Sequence, residues 1–355
     1  MDNLYQAPAI PLRSVGSLKS IRLMVVTVLL FVFSIGMALM VSLDVHHTEM
    51  VHDIVFAPDG QTVASASDDG LVLSWNVATG LGRILPGKTA MDFSVAFAPD
   101  GKTLAVECWD GKHGFIELRG YPDGRVFSTF GEHEGQWFAL RFSPDGTILA
   151  QGGDEVRLWD VATKKRLDGF RNQRGGASRI AFSPDGKTLV TAGTTRSINV
   201  WDVKSGMKVK SFSDDQENRV VCSISISPNG KWIASASNDF LADRVALKGP
   251  PPGIIKIWNM ANGLVDMEFQ GTYEVQAVAF SPDGLTLAVG QTDCNVLYWD
   301  MSAHRIRAKQ RIGRASVKSL AYSPDGLILA AGCSDGRVRM LHPPKIERNE
   351  PVASR

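Results

Sequence analysis

Apolar residues stand two positions apart at seven places along the chain, each pair closing two residues before a proline. The pairs are Ile54 and Phe56, Val95 and Phe97, Leu140 and Phe142, Ile180 and Phe182, Ile224 and Ile226, Val278 and Phe280, and Leu320 and Tyr322. A spacing of two puts both side chains on one face of an extended strand. Seven half-buried strands are therefore expected. A variant of one phrase ends each: FAPDG at 56–60 and 97–101, FSPDG at 142–146, 182–186 and 280–284, ISPNG at 226–230, and YSPDG at 322–326. Its proline ends the strand because it has no N–H to give to a ladder, and Asp-Gly or Asn-Gly accepts the positive φ of a tight hairpin.

Successive prolines are 41, 45, 40, 44, 54 and 42 residues apart. A period of about 40–45 residues is that of a four-stranded propeller blade. Eleven residues past the proline come Asp69, Asp110, Asp239, Asp293 and Asp335, in a second turn. Seventeen past it come Trp75, Trp201 and Trp299, with Trp159 at fifteen, Trp258 at thirty after an insertion, and Leu341 in the last repeat. Trp-Asp dipeptides stand at 159–160, 201–202 and 299–300.

These residues resemble the WD-repeat (G-beta-type) family over 40–343. The resemblance implies an all-β, seven-bladed β-propeller that is monomeric. It also implies a hydrogen-bonded set of a His ahead of the first strand, the turn Asp and the Trp. The His place holds His47 and His133, but Lys88, Gln173, Glu217, Gly271 and Gly313 elsewhere. Thr195 replaces the turn Asp in the fourth repeat, Asp154 lies out of register in the third, and the second has FIEL at 115–118 instead of a Trp. Those blades are expected to rest more on apolar packing.

Family rings commonly close by an N-terminal strand completing the last blade. The tail HPPKIERNEPVASR is too rich in Pro and charge for a strand, and the register of His47 with His133 assigns the closing strand to 40–45, MVSLDV. The insertion NDFLADRVALKGPPPG at 238–253 replaces a turn on the opposite face, away from the membrane on this reading.

The stretch 21–43 carries Arg22 at its start and no other charge. A transmembrane helix needs roughly 20 apolar residues, and a signal peptide has a shorter apolar region of about 7–15 ending in an A-x-A-like site. Residues 21–39 are read as an uncleaved helix, preceded by a tail at 1–20 and followed by the propeller at 40–343 and a disordered tail at 344–355. Arg13, Lys19 and Arg22 precede the helix and the next cation is Arg83, so the N-terminus is expected to be cytoplasmic and the propeller extracytoplasmic.

A formal charge of +1 gives no general pull toward nucleic acid. Cys108, Cys222, Cys294 and Cys333 lack CxxC spacing, and Cys294 and Cys333 lie in neighbouring repeats. No HExxH, P-loop, GxGxxG or GxSxG motif occurs. His46, His47, Glu49 and His52 form the one local cluster of metal-ligand type, on spacing alone. Five residues ahead of the prolines stand Asp53, Ser94, Ala139, Arg179, Ser223, Ala277 and Ser319, which form no catalytic set. No catalytic residue, metal or cofactor is expected.

Aromatic and Arg residues dominate binding hot spots, and seven are expected in loops of the face away from the membrane: Trp109, Trp137, Arg196, Arg219, Phe240, Arg244 and Tyr273. Along HRIRAKQRI at 304–312, strict alternation places Arg305, Arg307, Lys309 and Arg311 on one face, where they would contact anionic lipid or simply protect an edge strand. The expected function is a membrane-anchored, non-enzymatic scaffold for protein partners. The alternative is an extracytoplasmic propeller enzyme or ligand-binder of the lactonase or TolB-like kind.

Overall fold

Each FSPDG-type phrase turns one strand back on itself, and seven antiparallel sheets follow from the repetition. A computed structural model describes residues 26–27, 42–43, 45–87, 91–133, 139–153, 155–167, 176–193, 197–213, 219–239 and 251–344. Blade 1 has strands Val51–Phe56, Thr62–Ser67, Val72–Asn76 and Gly82–Leu85; blade 2 has Met91–Phe97, Thr103–Trp109, Gly114–Gly120 and Val126–His133. Blade 3 has Ala139–Phe142, Ile148–Gly152 and Arg157–Asp160; blade 4 has Arg179–Phe182, Thr188–Ala192, Ser197–Asp202 and Lys208–Ser213. Blade 5 has Arg219–Ile226, Trp232–Asp239, Ile254–Asn259 and Val265–Gln270. Blade 6 has Val275–Phe280, Thr286–Gln291, Asn295–Asp300 and Arg305–Arg311, and blade 7 has Val317–Tyr322, Leu329–Cys333 and Val338–Leu341. Strands pair in chain order within each sheet, and the first strands neighbour one another around the ring, blade 7 meeting blade 1.

The turn chemistry is the same from blade to blade. Ser143 Oγ donates to Asp145 Oδ1 at 2.5 Å, and the N–H groups of Thr147 and Ile148 donate to Asp145 Oδ1 and Ser143 Oγ at 3.0 Å each. Ser183 with Asp185, Ser281 with Asp283 and Ser323 with Asp325 repeat this arrangement. These bonds hold the Asp145, Asp185 and Asp325 carboxyls below their ordinary value, the serine hydroxyl being the largest cause.

The phrase also joins the blades. A Cβ on the turn glycine of one blade would stand against the turn proline of the blade before it: Gly101 at 3.8 Å from Pro58 Cδ, Gly146 at 3.2 Å from Pro99, Gly186 at 3.4 Å from Pro144 and Gly230 at 3.7 Å from Pro184. Gly284 and Pro228, then Gly326 and Pro282, continue the series, and Gly60 at 3.3 Å from Pro324 Cδ closes it. Apolar clusters fill the same seams. Ala64, Ala66, Val72 and Leu85 of blade 1 pack on Val95, Phe97, Leu104 and Val106 of blade 2. Ala288, Val296 and Tyr298 of blade 6 pack on Val317, Leu329, Ala331 and Leu341 of blade 7. All four cysteines are buried and unbridged.

Ring closure departs from expectation. Blade 7 has three strands among the described residues, and Ser42 and Leu43, inside the expected closing strand, pair instead with Thr27 and Val26. Among the described residues, blades 7 and 1 meet through side chains and one backbone bond. Val51 packs on Gly332 as Val317 packs on Gly290, and His47 N–H donates to Gly336 O at 3.1 Å. The chain divides into two units, Met1–Val45 and His46–Arg355. Of the expected span 21–39, only Val26 and Thr27 are described, and their pairing makes them strand rather than helix; the rest lies outside the described residues. Among the described residues no helix is long and apolar enough to cross a membrane. Of the expected tail at 344–355 only Pro344 is described; the rest also lies outside the described residues.

Candidate binding surface and central channel

The end of the ring that carries the His47 loop and the Asp69 turn is held by side-chain networks. His47 Nδ1 lies 3.0 Å from Asp69 Oδ2, its Nε2 lies 2.8 Å from Ser65 Oγ, and Trp75 Nε1 donates to the same hydroxyl at 2.9 Å. With Nδ1–H given to Asp69, the Ser65 hydroxyl donates to Nε2 and accepts from Trp75. Burial pushes the Asp69 carboxyl up, but bonds from His47, Thr48 N–H and Leu71 N–H outweigh it and hold it below its usual value. Trp201 donates to Thr191 Oγ1 and Trp258 to Ser235 Oγ, so two blades keep half the set.

Blade 3 builds its set differently from the expectation for His133. The imidazole Nε2 lies 2.7 Å from Glu107 Oε1 in the second strand of blade 2. Gln151 donates to Glu107 Oε2 at 2.9 Å and accepts from Trp159 Nε1 at 3.1 Å. The network thus spans two blades, and burial raises the Glu107 carboxyl above its ordinary value against bonds from His133 and Gln151. In blade 6, Trp299 Nε1 finds no acceptor among the described residues; its ring stacks on Phe269 of blade 5, with centroids 3.7 Å apart. Ile116 and Leu118 of FIEL are fully buried. Apolar packing serves where the set is missing.

Of the seven expected contact residues, Trp137, Arg196, Phe240 and Arg244 lie outside the described residues. Trp109 ends the second strand of blade 2, half-buried opposite Met91 and Gly114. Arg219 begins blade 5 opposite Asp239, and Tyr273 is 47% exposed just ahead of blade 6. All three stand at the same end as Asp69 by strand order. The insertion enters and leaves the fold beside Tyr273. Asn238 is fully buried, Gly253 N–H donates to Tyr273 O at 3.0 Å, and Gly271 N–H donates to Gly253 O at 2.9 Å. A Cβ at Gly253 would stand 2.5 Å from Asn238 Oδ1 and 2.7 Å from Val275 N, so a glycine is required by this close approach.

Two cavities follow the ring axis. A polar one of about 90 Å3 is lined by first-strand starts, including His52, Asp53, Arg141, Arg179, Gln276 and Lys318. A wider one of about 570 Å3 is lined by first-strand ends such as Phe97, Phe142, Phe182 and Ile226 with the turn prolines. In the polar cavity Asp53 is 6% exposed and fully engaged: Ser94 Oγ at 2.6 Å, Arg141 Nη1 at 2.9 Å and Nη2 at 3.2 Å, and the N–H groups of Ile54 and Val95. Asp53 also raises the Arg141 guanidinium against the opposite effect of burial, which is the larger single influence. Arg141 and Lys318 stand three and six residues ahead of their prolines, so a search at the fifth position alone misses them. His47 is given to Asp69, and His52 lies 2.7 Å from Asp68. No group of three or more His, Cys, Asp or Glu converges among the described residues.

The cationic stripe on the last strand of blade 6 also needs correction. Ala308 pairs with Tyr298, but Ile306 pairs with Trp299, so one extra residue sits at Arg307. A bulge of this kind reverses the alternation beyond it. Ile306, not Arg305, therefore shares the face of Lys309 and Arg311. Arg307 pairs with Asp300 at 3.1 Å and Lys309 with Asp293 at 3.2 Å, while Arg305 and Arg311 make no ion pair with a described carboxylate.

Seven radial sheets around an axial channel, stapled at one end by Trp, His and Asp side chains, define a seven-bladed β-propeller. Five stretches, 38–76, 165–202, 206–242, 266–300 and 308–341, match the family described as WD domain, G-beta repeat. They cover more than half of the chain, which belongs to this family. It is 27% identical over 259 residues to Pre-mRNA-processing factor 19 homolog 2 of Arabidopsis thaliana, covering 70% of this chain and 46% of that protein. It is 28% identical over 275 residues to small ribosomal subunit protein RACK1y of Oryza sativa subsp. japonica, covering 72% and 76% respectively. It is 26% identical over 294 residues to nuclear distribution protein PAC1 of Arthroderma benhamiae, covering 72% and 60%. The chain spans less than half the length of the pre-mRNA-processing factors it matches.

Proposed function

We propose that the chain is a non-enzymatic, protein-binding propeller whose contact surface is the end carrying Trp109, Arg219 and Tyr273. Tyr273 carries this reading. The fold uses its carbonyl, through Gly253 N–H, and leaves the residue 47% exposed beside the base of the longest insertion. An exposed aromatic on a backbone pinned by hydrogen bonds presents area to a partner with little ordering left to lose. The relatives bear names from pre-mRNA processing, the ribosome and nuclear distribution, which supports a shared framework rather than a shared partner.

The lactonase or TolB-like alternative needs a group in the channel free to act on a substrate. A general base needs a lone pair aimed at the proton it takes. Asp53, the one carboxylate among the described residues lining the polar cavity, already accepts from Ser94, Arg141 and two backbone N–H groups. This favours the interaction reading.

The same proposal holds 21–39 to be a membrane tether, with the N-terminus cytoplasmic; its support is the uncharged stretch and the cations ahead of it. Contact of the blade 6 rim with lipid then rests chiefly on Arg305 and Arg311. The membrane part is checked by alkaline extraction of native membranes, which should leave the chain in the pellet; release into the supernatant would remove the tether. The binding part is checked by a photo-crosslinking amino acid placed in the full chain at Tyr273, or at Leu81, which is 63% exposed in a different turn of blade 1. A discrete protein adduct from Tyr273 alone is expected. Equal labelling from both positions, or none from Tyr273, would sink the assigned surface. Stoichiometric divalent metal in the purified protein would favour the alternative.

A further inference from the structure

We propose that the polar cavity is an oxyanion site, built to hold one phosphate group between Arg179 and Lys318. Four charged residues other than histidine line it: Asp53, Arg141, Arg179 and Lys318. Asp53 and Arg141 neutralise each other through two hydrogen bonds of 2.9 and 3.2 Å. His52 is engaged with Asp68. Two cations remain, from blades 4 and 7, and neither forms an ion pair with a described carboxylate.

Their own bonds suit them to a ligand. Arg179 donates from Nε to the Cys222 carbonyl and from Nη1 to the Ser178 carbonyl at 2.7 Å. Those bonds fix the guanidinium plane, and Nη2 has no acceptor among the described residues. Lys318 is half-buried and its ammonium has no acceptor among them either. Burial, and to a lesser degree the Arg141 charge, lower the Arg179 guanidinium from its ordinary value, against pulls from Cys222 and Asp53. Arginine nevertheless stays charged at any working pH. A concave wall carrying excess charge of one sign concentrates the opposite ion, and a guanidinium fork matches the oxygen edge of a phosphate. Gln276, Ser223 and Ser319 line the same cavity with neutral polar groups.

Size narrows the class. The polar part is small, about 90 Å3, which suits a group the size of a single tetrahedral oxyanion. The wider cavity, where Phe97, Phe142, Phe182 and Ile226 line the wall among serines and prolines, shares Arg141, Ile180, Ile224, Val278 and Leu320 with it. A phosphate monoester with an apolar substituent therefore has a place for both parts, whereas free phosphate uses the polar part alone.

The test is calorimetric titration of the full chain, in a chloride buffer of constant ionic strength, first with inorganic phosphate and then with phenyl phosphate. Saturable binding of one equivalent is expected. Lys318→Gln should weaken it about tenfold while leaving the melting temperature without ligand unchanged, and Arg179→Gln should weaken it at least as much. If Arg179→Gln fails to fold, Lys318→Gln decides. Tighter binding of phenyl phosphate assigns the site to an ester, and equal binding assigns it to the free ion. No saturable heat with either ligand, wild-type affinity in Lys318→Gln, or equal displacement by acetate would overturn the proposal.

Discussion

The carboxamide of Asn238 brackets the peptide groups of Val275: Nδ2 donates to its carbonyl at 2.7 Å, and Oδ1 accepts from its N–H at 2.9 Å. One buried side chain at the end of blade 5's second strand therefore holds the first residue of blade 6, at the root of the insertion. Asn238→Ala leaves a buried donor and acceptor unpaired, at about 1–3 kcal/mol for each group. A loss of about 3 kcal/mol in urea unfolding is expected. A loss below about 0.5 kcal/mol, the scatter of surface changes, would show that the bracket is dispensable.

The seam between blades 7 and 1 is tested by two glycines of like backbone. Gly60 and Gly80 have φ of +70° and +69°, but a Cβ at Gly60 meets Pro324 at 3.3 Å and one at Gly80 meets nothing within 4 Å. Alanine at either position carries the left-handed cost of about 1–2 kcal/mol. Gly60→Ala should lower stability further than Gly80→Ala, the excess being the crowding at the seam. Equal losses would mean that the proline yields freely and that the contact does not hold the ring.

Glu107 gives a pH dependence with a definite sign. Its folded-state pKa is raised above 4.5, chiefly by burial. The folded protein thus binds more protons in the interval between the two values, and the stability this contributes is lost as pH rises through the folded pKa. The aspartates held low, such as Asp69, Asp145 and Asp185, act in the opposite sense as pH falls through and below 3.8. Melting temperature measured upward from pH 4.5 should therefore fall in wild type by more than in Glu107→Gln. Parallel curves would remove Glu107 as the cause.

The bulge on blade 6 separates its cations into two kinds. Arg307 pairs with Asp300, whose side chain is 3% exposed and whose carboxyl burial pushes up, though bonds from Ala303 N–H, Ser302 and Arg307 hold it low. Arg305 makes no such pair. Arg307→Gln should cost about 1 kcal/mol, since Asp300 keeps its other donors, and Arg305→Gln close to nothing. Chemical unfolding of the two variants side by side decides it, and a reversed order would mean that the Asp300 pair does not stabilise the fold.

Blade count and the inward set ending in Phe56, Phe97 and Phe280 follow directly from a period-two pattern repeated at a blade's length. His47 with Asp69 and Trp75 is legible for the same reason, because those three sit at fixed offsets within one repeat. What fails to show in a linear reading is whatever depends on a neighbouring strand. The residue at Arg307 is extra only relative to Trp299 across the ladder, so strict alternation along 304–312 misassigns Arg305. His133 sits in register with His47, yet it ends the last strand of blade 2 and is held by Glu107 of that same sheet, while Gln151 stands in blade 3 where Ser65 serves in blade 1. The channel cations come from three blades at three different offsets. In blades 1, 6 and 7 a bulge at His52, Gln276 or Lys318 brings an additional residue to the wall, and no single column of the repeat contains them. The closing strand assigned to 40–45 is not found on blade 7, since Ser42 and Leu43 pair with Thr27 and Val26; among the described residues the seam with blade 1 is made by Pro324, Gly60, Val51 and Gly332.

The succession of Pro58 on Gly101 through Pro324 on Gly60 gives every junction one head-to-tail contact of the same kind, the junction of blade 7 with blade 1 included. Closed head-to-tail contacts are what subunits use to form cyclic assemblies, with closure set by the rotation between neighbours. This chain is in that sense a covalently strung heptamer. A permuted chain opened between two other blades would meet the same Gly–Pro contact on both sides of the cut.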